Sequence, residues 1–239
     1  MKAYKLKKIK AAVFQISSIV NGKISLLFIS LFTTSCFAQN AKVITPDLTK
    51  LVRQNKITAF NRSVTILSDS QNKNGIHLDA NDNYGVAWLN DIRFGNGTLE
   101  FDIKGKNTMQ QSFVGIAFHG LDNNTLDAIY FRPFNFQAQD VEKKNHSAQY
   151  ISLPSYDWQK LRTDFPNKYE HALNPSPLPD EWFHVRVVIN IPKISVYVNN
   201  NSTPDLVVEQ LSNRKDGNIG FWVGNQSDGD FANLKITLQ

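Results

Sequence analysis

Five histidines are the residues of this sequence best suited to move protons, because an unperturbed imidazole titrates at about pH 6.5. No two of them have the two- or four-residue spacing of a paired metal site. His119 follows a predicted strand over residues 113–118 and leads into a polar turn just before the next strand. We therefore interpret His119 as a candidate acid/base. The other four are interpreted as surface or hydrogen-bonded structural residues: His77, His146, His171 and His184.

The strand that follows His119 carries a phenol and a guanidinium two residues apart. Tyr130 and Arg132 alternate with Ile129 and Phe131, so we expect them to point away from the core, towards the opposite face of a sheet. Arg132 would then be the charge partner of an acid/base supplied by His119 or Tyr130. The residues predicted to complete this candidate site by binding substrate are Asn135, Gln149, Tyr150 and Trp158.

The elements that must position these residues are short strands. About a dozen runs rich in β-branched and aromatic residues are separated by turns of Asn, Asp and Gly, with no long amphipathic helix between them. This pattern predicts an all-β fold, a sandwich or barrel, in one domain over residues 64–239, after a lead-in over residues 39–63. In the clearest hairpin, near residues 183–198, one apolar face contains Phe183, Val185, Val187 and Ile189.

One long segment, residues 134–179, interrupts the rhythm of strands. A connection of this length inside a compact domain is usually functional or disordered, and its many aromatic residues indicate that it packs on the domain. We predict a lid or rim across one face of the sheet. An ordered insertion that only covers a sheet edge is the alternative.

The N-terminus has the features of a secretory signal peptide over residues 1–38. Five lysines precede residue 11, and the apolar run over residues 24–32 is too short for a membrane span of about 20 residues. Cleavage after Ala38 would leave a secreted or periplasmic chain with no transmembrane segment and no cysteine. Lipid attachment at Cys36 is the alternative, although Thr33 occupies a position where lipidation sites usually have a large aliphatic residue.

The positive charge of the sequence is concentrated in that segment. The whole chain has 26 Lys and Arg against 21 Asp and Glu, and six of the lysines precede Ala38 with no acid among them. Residues 39–239 therefore hold 20 basic and 21 acidic side chains. Nucleic-acid binding needs a basic surface on the folded domain, so this balance argues against a nucleic-acid partner.

Several strand motifs together resemble a known family. They are residues 97–103 (GTLEFDI), 115–118 (GIAF), 181–188 (EWFHVRVV), 196–199 (VYVN), 217–224 (GNIGFWVG) and 229–236 (GDFANLKI). This set is similar to concanavalin A-like jelly rolls, in particular to laminin G-like and 3-keto-disaccharide-hydrolase-like secreted bacterial domains. The resemblance implies a jelly-roll β-sandwich of two antiparallel sheets, with residues 134–179 as one long irregular insertion, and a poly- or oligosaccharide as partner.

The resemblance leaves more than one function open, since this fold hosts enzymes and binding modules alike. Retaining hydrolases on it use three acids on one strand, and Lys104 to Lys106 occupy the place where the third acid would follow Glu100 and Asp102. The alginate type of lyase has a catalytic Tyr where Phe136 stands. The remaining classes are a 3-keto-glycoside hydrolase, an atypical polysaccharide lyase and a non-enzymatic adhesion or protein-interaction module.

Two loops rich in carboxylates and amides are candidates for a structural metal. One contains Asp79 and the other Asp230, near the two ends of the predicted domain. Jelly rolls often hold a structural Ca²⁺ where the terminal strands meet, and oxygen ligands of this kind suit that ion. Turns stabilised by Asn and Asp side chains explain both loops without a metal, so calcium is a possible rather than a required cofactor.

Overall fold

A computed structural model of the chain describes residues 41–67 and 75–239. The predicted signal peptide and Cys36 lie outside the described residues. Within the described ranges, no helix has both the length and the apolar character needed to cross a membrane.

Strands make up most of the described chain, and the helices are short. The strands are β1 (Lys42–Ile44), β2 (Ile57–Phe60), β3 (Val64–Ile66), β4 (Gly75–Leu78), β5 (Gly85–Phe94), β6 (Gly97–Lys104), β7 (Val114–Gly120), β8 (Leu126–Phe131), β9 (Ala148–Leu153), β10 (Glu170–His171), β11 (Phe183–Asn190), β12 (Lys193–Val198), β13 (Leu206–Glu209), β14 (Gly217–Val223) and β15 (Gly229–Leu238). The helices are α1 (Leu48–Arg53), α2 (Val141–Asn145) and α3 (Trp158–Asp164), with a single 3-10 turn over Pro133–Asn135.

The strands form two antiparallel sheets. The front sheet has the order β10-β9-β8-β7-β14-β5-β2, and the back sheet has the order β13-β12-β11-β6-β15-β4-β3, with β1 paired to β15. Strands distant in sequence are neighbours in both sheets: β14 lies between β5 and β7, and β6 lies between β11 and β15. This arrangement confirms the predicted all-β jelly-roll sandwich.

The core lies between the sheets and follows the predicted alternation. In β11 the inward side chains Phe183, Val185, Val187 and Ile189 are buried, and β11 pairs with β12 as the predicted hairpin. From the front sheet, Phe221 meets Phe231 of β15 with a ring-centroid distance of 4.6 Å. Each such buried side chain contributes about 1.5–3 kcal/mol to folding.

Residues 134–179 extend the front sheet and add two helices at its side. Strand β9 pairs with β8 along its whole length, and β10 pairs with β9. Asp140 caps the N-terminus of α2 and Asp157 caps that of α3, each accepting a hydrogen bond from a backbone N–H three residues later. Helices of five and seven residues are too short for their period to be visible in the sequence.

Candidate functional site

An open cleft of about 1180 Å³ lies over the outer face of the front sheet. Its lining contains seven aromatic residues, six Asn or Gln residues and three Lys or Arg residues. Among the described residues, no Asp or Glu lines it. Residues 134–179 contribute several of the lining side chains, among them Lys143, His146, Trp158 and Arg162. The cleft thus combines apolar rings with neutral and cationic hydrogen-bond donors, without a carboxylate.

Trp222 forms the floor of this cleft. It belongs to β14, where it follows Phe221, and because neighbouring residues of a strand point to opposite faces, Phe221 fills the core while Trp222 faces outwards. The ring of Tyr84 stacks near Trp222, with centroids 6.1 Å apart and planes inclined by 22°. Tyr130 lies on the other side, with a centroid distance of 4.9 Å. The three rings form a continuous aromatic cluster that lines the cleft, although Tyr130 and Trp222 are largely buried.

Beside this surface, Tyr130, Arg132 and Gln149 form a buried hydrogen-bonded group. Tyr130 of β8 is paired directly with Gln149 of β9, which places both side chains on the outer face. Arg132 donates from Nη2 to Tyr130 Oη over 2.6 Å and to Gln149 Oε1, and from Nη1 to the carbonyl oxygen of His146 over 2.9 Å. The Tyr130 hydroxyl donates to Gln149 Oε1 over 3.0 Å. Burial raises the pKa of Tyr130, so its hydroxyl stays protonated at neutral pH.

A buried carboxylate, Glu170, lies behind this group and contacts two guanidinium groups. Arg162 donates to it from Nε over 3.0 Å and from Nη2 over 2.7 Å, a two-point pair. Nη1 of Arg132 lies 3.8 Å from Oε2 of Glu170. A buried carboxylate requires such partners, since an isolated one would be strongly unfavourable. Glu170 therefore fixes the arginines that face the cleft.

His146 lines the cleft next to this carboxylate. Its Nδ1 lies 2.8 Å from Oε2 of Glu170, a close contact without hydrogen-bond alignment. Burial lowers the pKa of His146, and the charges of Arg162 and Arg132 lower it further, whereas Glu170 opposes them. The net effect is a pKa below the usual value of 6.5. At neutral pH the imidazole is therefore uncharged and able to accept a proton.

The structure brings together most of the site residues predicted from the sequence. Tyr130, Arg132, Asn135 and Trp158 line the cleft, and Gln149 lies directly beneath the first two. Tyr130 and Arg132 lie on the outer face, as their alternation with core residues predicts.

His119 and Tyr150 are not brought to the cleft. Tyr150 is paired with Ile129 and shares its inward face, where its hydroxyl donates to Asp127 over 2.8 Å. His119 has a φ of +51°, which interrupts the alternation of β7. It is fully buried, its Nδ1 lies 3.4 Å from Asp127, and its Nε2 donates to the Gly95 carbonyl over 3.1 Å.

Both carboxylates predicted as calcium ligands have protein partners. Asp79 accepts a hydrogen bond from the backbone N–H of Ser63, and Asp230 contacts His77, each over 2.7 Å. In residues 41–67 and 75–239, no three His, Cys, Asp or Glu side chains are grouped so that they could hold a metal ion. A calcium ion at Asp79 and Asp230 stays a prediction.

The sequence predicts His146 to be a surface or structural residue and gives no indication of a role in the cleft for Arg162 or Glu170. His146 follows a five-residue helix and Glu170 belongs to a two-residue strand, so neither has a periodic pattern that indicates its direction. Trp222 was distinguishable in principle, because its neighbour Phe221 belongs to an apolar face that predicts the core. A cleft residue of this kind can be recognised because it alternates along the strand with residues that point into the core.

Comparison with known sequences identifies the family. The profile described as 3-keto-alpha-glucoside-1,2-lyase-like domain matches residues 51–237. The chain belongs to this family. The match includes the whole front sheet and the segment 134–179, and it confirms the resemblance seen in the strand motifs. A search of curated proteins gives no match to this member of the lyase-like family.

Solved structures confirm the fold of this lyase-like domain. Carbohydrate binding module CBM66 from Bacillus subtilis is similar at 13% identity and a TM-score of 0.52, over 76% of this chain and 95% of the module. A Bacillus subtilis protein of unknown function with a galectin-like fold has 12% identity and a TM-score of 0.53, with 81% and 94% covered. The exoplasmic/lumenal domain of VIP36, in a Ca²⁺/Man3GlcNAc-bound form, has 12% identity and a TM-score of 0.52, with 84% and 90% covered.

Proposed function

We propose that the cleft binds a carbohydrate and that the protein eliminates the aglycone of a 3-keto glycoside. The observation that carries this proposal is the aromatic floor of Trp222, Tyr84 and Tyr130, bordered by amides and by the Arg132 guanidinium. Aromatic rings pack on the C–H faces of sugars, and amides and guanidinium groups bind hydroxyl or carbonyl oxygens. Membership of the lyase-like family supports the reaction class.

The reaction follows from the chemistry of the ketone. A carbonyl at C3 of the sugar makes the proton on C2 acidic, because the negative charge left on C2 is delocalised onto the carbonyl oxygen. A base takes this proton, the C2–H electron pair forms the C1–C2 double bond, and the C1–O bond breaks. The departing oxygen receives a proton, so the products are an alcohol and an unsaturated keto sugar. No external oxidant or reductant is required.

The residues of the cleft match the roles that this reaction needs. His146 is the base in our proposal, since burial keeps its imidazole neutral. The Arg132 guanidinium, placed beside the protonated Tyr130 hydroxyl, supplies positive charge for the developing enolate oxygen. The cleft lining has no carboxylate among the described residues, which favours proton abstraction over a mechanism with two carboxylates.

The direct test is the conversion of methyl 3-keto-α-glucoside to its conjugated enone, followed by ultraviolet absorbance. We expect His146→Gln to lower kcat by about 100-fold or more. His171→Gln is the matched control, because His171 lies in the same segment, is exposed and does not line the cleft. Equal rates for the two variants would remove His146 from the mechanism, and absence of turnover in the unmodified protein would refute the lyase proposal.

A non-enzymatic sugar-binding or adhesion module is the second candidate, and the aromatic floor alone favours it. Such a protein would bind glycosides without releasing any enone or alcohol. Calorimetric binding of methyl glucoside, measured beside the turnover assay, separates the two: binding with no turnover identifies a lectin-like protein.

We also propose that the protein is exported through the segment 1–38. The mass of the mature chain after expression in a bacterial host tests this directly. A chain that begins at Gln39 supports cleavage after Ala38, whereas a lipid-modified Cys36 at the N-terminus supports the lipoprotein alternative.

A further inference from the structure

We propose that the ligand of the cleft carries an anionic group, a carboxylate or a sulfate ester, and that Lys143 and Arg162 bind it. This inference rests on the proposed carbohydrate site and specifies its ligand as an acidic sugar or glycoside. The two cationic residues come from the same segment of the chain, residues 134–179, and both line the cleft.

The charge of the cleft differs from the charge of the chain. Residues 39–239 are close to neutral, with 20 basic and 21 acidic side chains. The cleft lining has three permanent cations, Arg132, Lys143 and Arg162, and no carboxylate among the described residues. A depression with walls of low polarity concentrates the field of such charges and attracts ligands of the opposite sign.

Glu170 balances only part of this charge. It is the buried carboxylate behind Arg132 and Arg162, so two guanidinium groups share one negative charge. His146 adds none at neutral pH, because burial lowers its pKa. Lys143 adds another positive charge, and its Nζ has no carboxylate partner in the described part of the chain. The nearby Glu142 is exposed and does not line the cleft.

Arg162 is held in a position suited to receive an anion. Its Nε and Nη2 bind Glu170, and its guanidinium carbon lies 5.1 Å from the ring centroid of Trp158. Nη1 of Arg162 makes no hydrogen bond to any of the described residues, and a third of the Arg162 side chain is exposed. A guanidinium fixed on one edge loses little conformational entropy when its other edge binds a carboxylate or sulfate oxygen.

The proposed reaction of a neutral sugar assigns no role to these two cations. In the proposed reaction Arg132 faces the enolate oxygen, and its Nη atoms are already bound to Tyr130, Gln149 and His146. Lys143 and Arg162 have no part in that network beyond the pair of Arg162 with Glu170. Their charges are therefore available for a permanent anion on another part of the ligand.

The test is calorimetric binding of three probes to the full mature protein: methyl α-glucoside, methyl α-glucuronide and the 6-sulfate of methyl α-glucoside. At low salt we expect the charged probes to bind about fivefold to tenfold more tightly than the neutral one, with this advantage lost as salt screens the charges. A preference for the glucuronide alone or for the sulfate alone identifies the anion, and either supports the inference.

Lys143→Gln should weaken binding of the charged probes about fivefold and leave the neutral probe unchanged. Lys144→Gln is the matched control, because Lys144 is the next residue of α2 and does not line the cleft. Equal affinities for neutral and charged probes, or identical effects of the two variants, would overturn the inference. If a neutral 3-keto glycoside is still turned over under that outcome, the proposed function stands. If none of the three probes binds and the 3-keto glycoside is not turned over, both proposals are refuted.

Discussion

Arg132 and Tyr130 hold each other in position on the outer face of the front sheet. The guanidinium donates to the hydroxyl over 2.6 Å, and its carbon lies 4.8 Å from the centroid of the Tyr130 ring. Both side chains are almost completely buried. If either one moved away, it would leave a buried polar group without a hydrogen-bond partner, which is unfavourable. The pair is a rigid source of positive charge and of a hydroxyl at the bottom of the cleft.

Replacement of this guanidinium by an ammonium should be costly even though the charge is retained. The single nitrogen of a lysine cannot occupy both positions from which Nη1 of Arg132 donates to the His146 carbonyl and Nη2 donates to Tyr130 and Gln149. We expect Arg132→Lys to reduce kcat for the 3-keto glycoside by about 100-fold and to lower the melting temperature. Arg93→Lys is the control, since Arg93 is an exposed partner of Asp216. Turnover of Arg132→Lys within a factor of two of the unmodified protein would contradict this role.

The aromatic floor should determine affinity for the sugar. Trp222→Leu removes the ring that contacts both Tyr84 and Tyr130, and we expect the Kd for methyl glucoside to rise about tenfold. Trp182→Leu makes the same change outside the cleft and should leave Kd unchanged. Thermal melting of both variants controls for unfolding, and a Kd that is equal in the two variants would exclude Trp222 as the sugar platform.

The pH dependence of turnover should report the state of His146. A base acts when it is neutral, so kcat/KM falls as the pH drops through its pKa. Burial lowers that pKa below 6.5, and the acid limb of the profile should therefore lie below pH 6.5. The limb should disappear in the residual activity of His146→Gln. An acid limb above pH 6.5, or one that persists in the variant, would assign the base to another group.

The fold could be predicted from the sequence because alternation over long strands is a strong signal. In β11 every second residue, from Phe183 to Ile189, is apolar and buried, and the same rule places Phe101 and Phe221 in the core. The rule also places Tyr130 and Arg132 on the outer face. These positions depend only on which face of the sheet each side chain points to, and the alternation of residues in the local sequence indicates that face.

The rest of the site depends on contacts that no local pattern contains. His146 reaches the cleft from the end of a five-residue helix, and its neutral state depends on burial and on two arginines. His119 is the opposite case, since the positive φ at the end of β7 directs its side chain to Asp127. Positive φ at a histidine is uncommon and cannot be inferred from residue type.

Asp127 organises a buried polar cluster between the two sheets, away from the cleft. Its carboxylate accepts hydrogen bonds from Tyr150 and Arg214 over 2.8 Å and from Ser212 over 2.7 Å. Burial by itself raises the pKa of Asp127, but the bond to His119, the charge of Arg214 and the serine hydroxyls outweigh it, so the pKa lies below 3.8. The charged carboxylate therefore stabilises the fold above the unfolded-state pKa, and this contribution is lost as the pH falls.

We expect Asp127→Asn to lower the free energy of unfolding at pH 7 by about 3–5 kcal/mol, because Arg214 then loses its buried counter-charge. The difference from the unmodified protein should shrink as the pH falls through the pKa of the carboxylate in the folded protein. Urea unfolding at pH 7 and pH 3 measures both effects, with Asp91→Asn as control, since Asp91 is an exposed partner of Lys56.

His119→Gln should also lower the free energy of unfolding, because His119 is a buried neighbour of Asp127, and it should leave kcat unchanged. A loss of kcat in His119→Gln with unaltered melting would instead make His119 part of the catalytic machinery and refute its structural role.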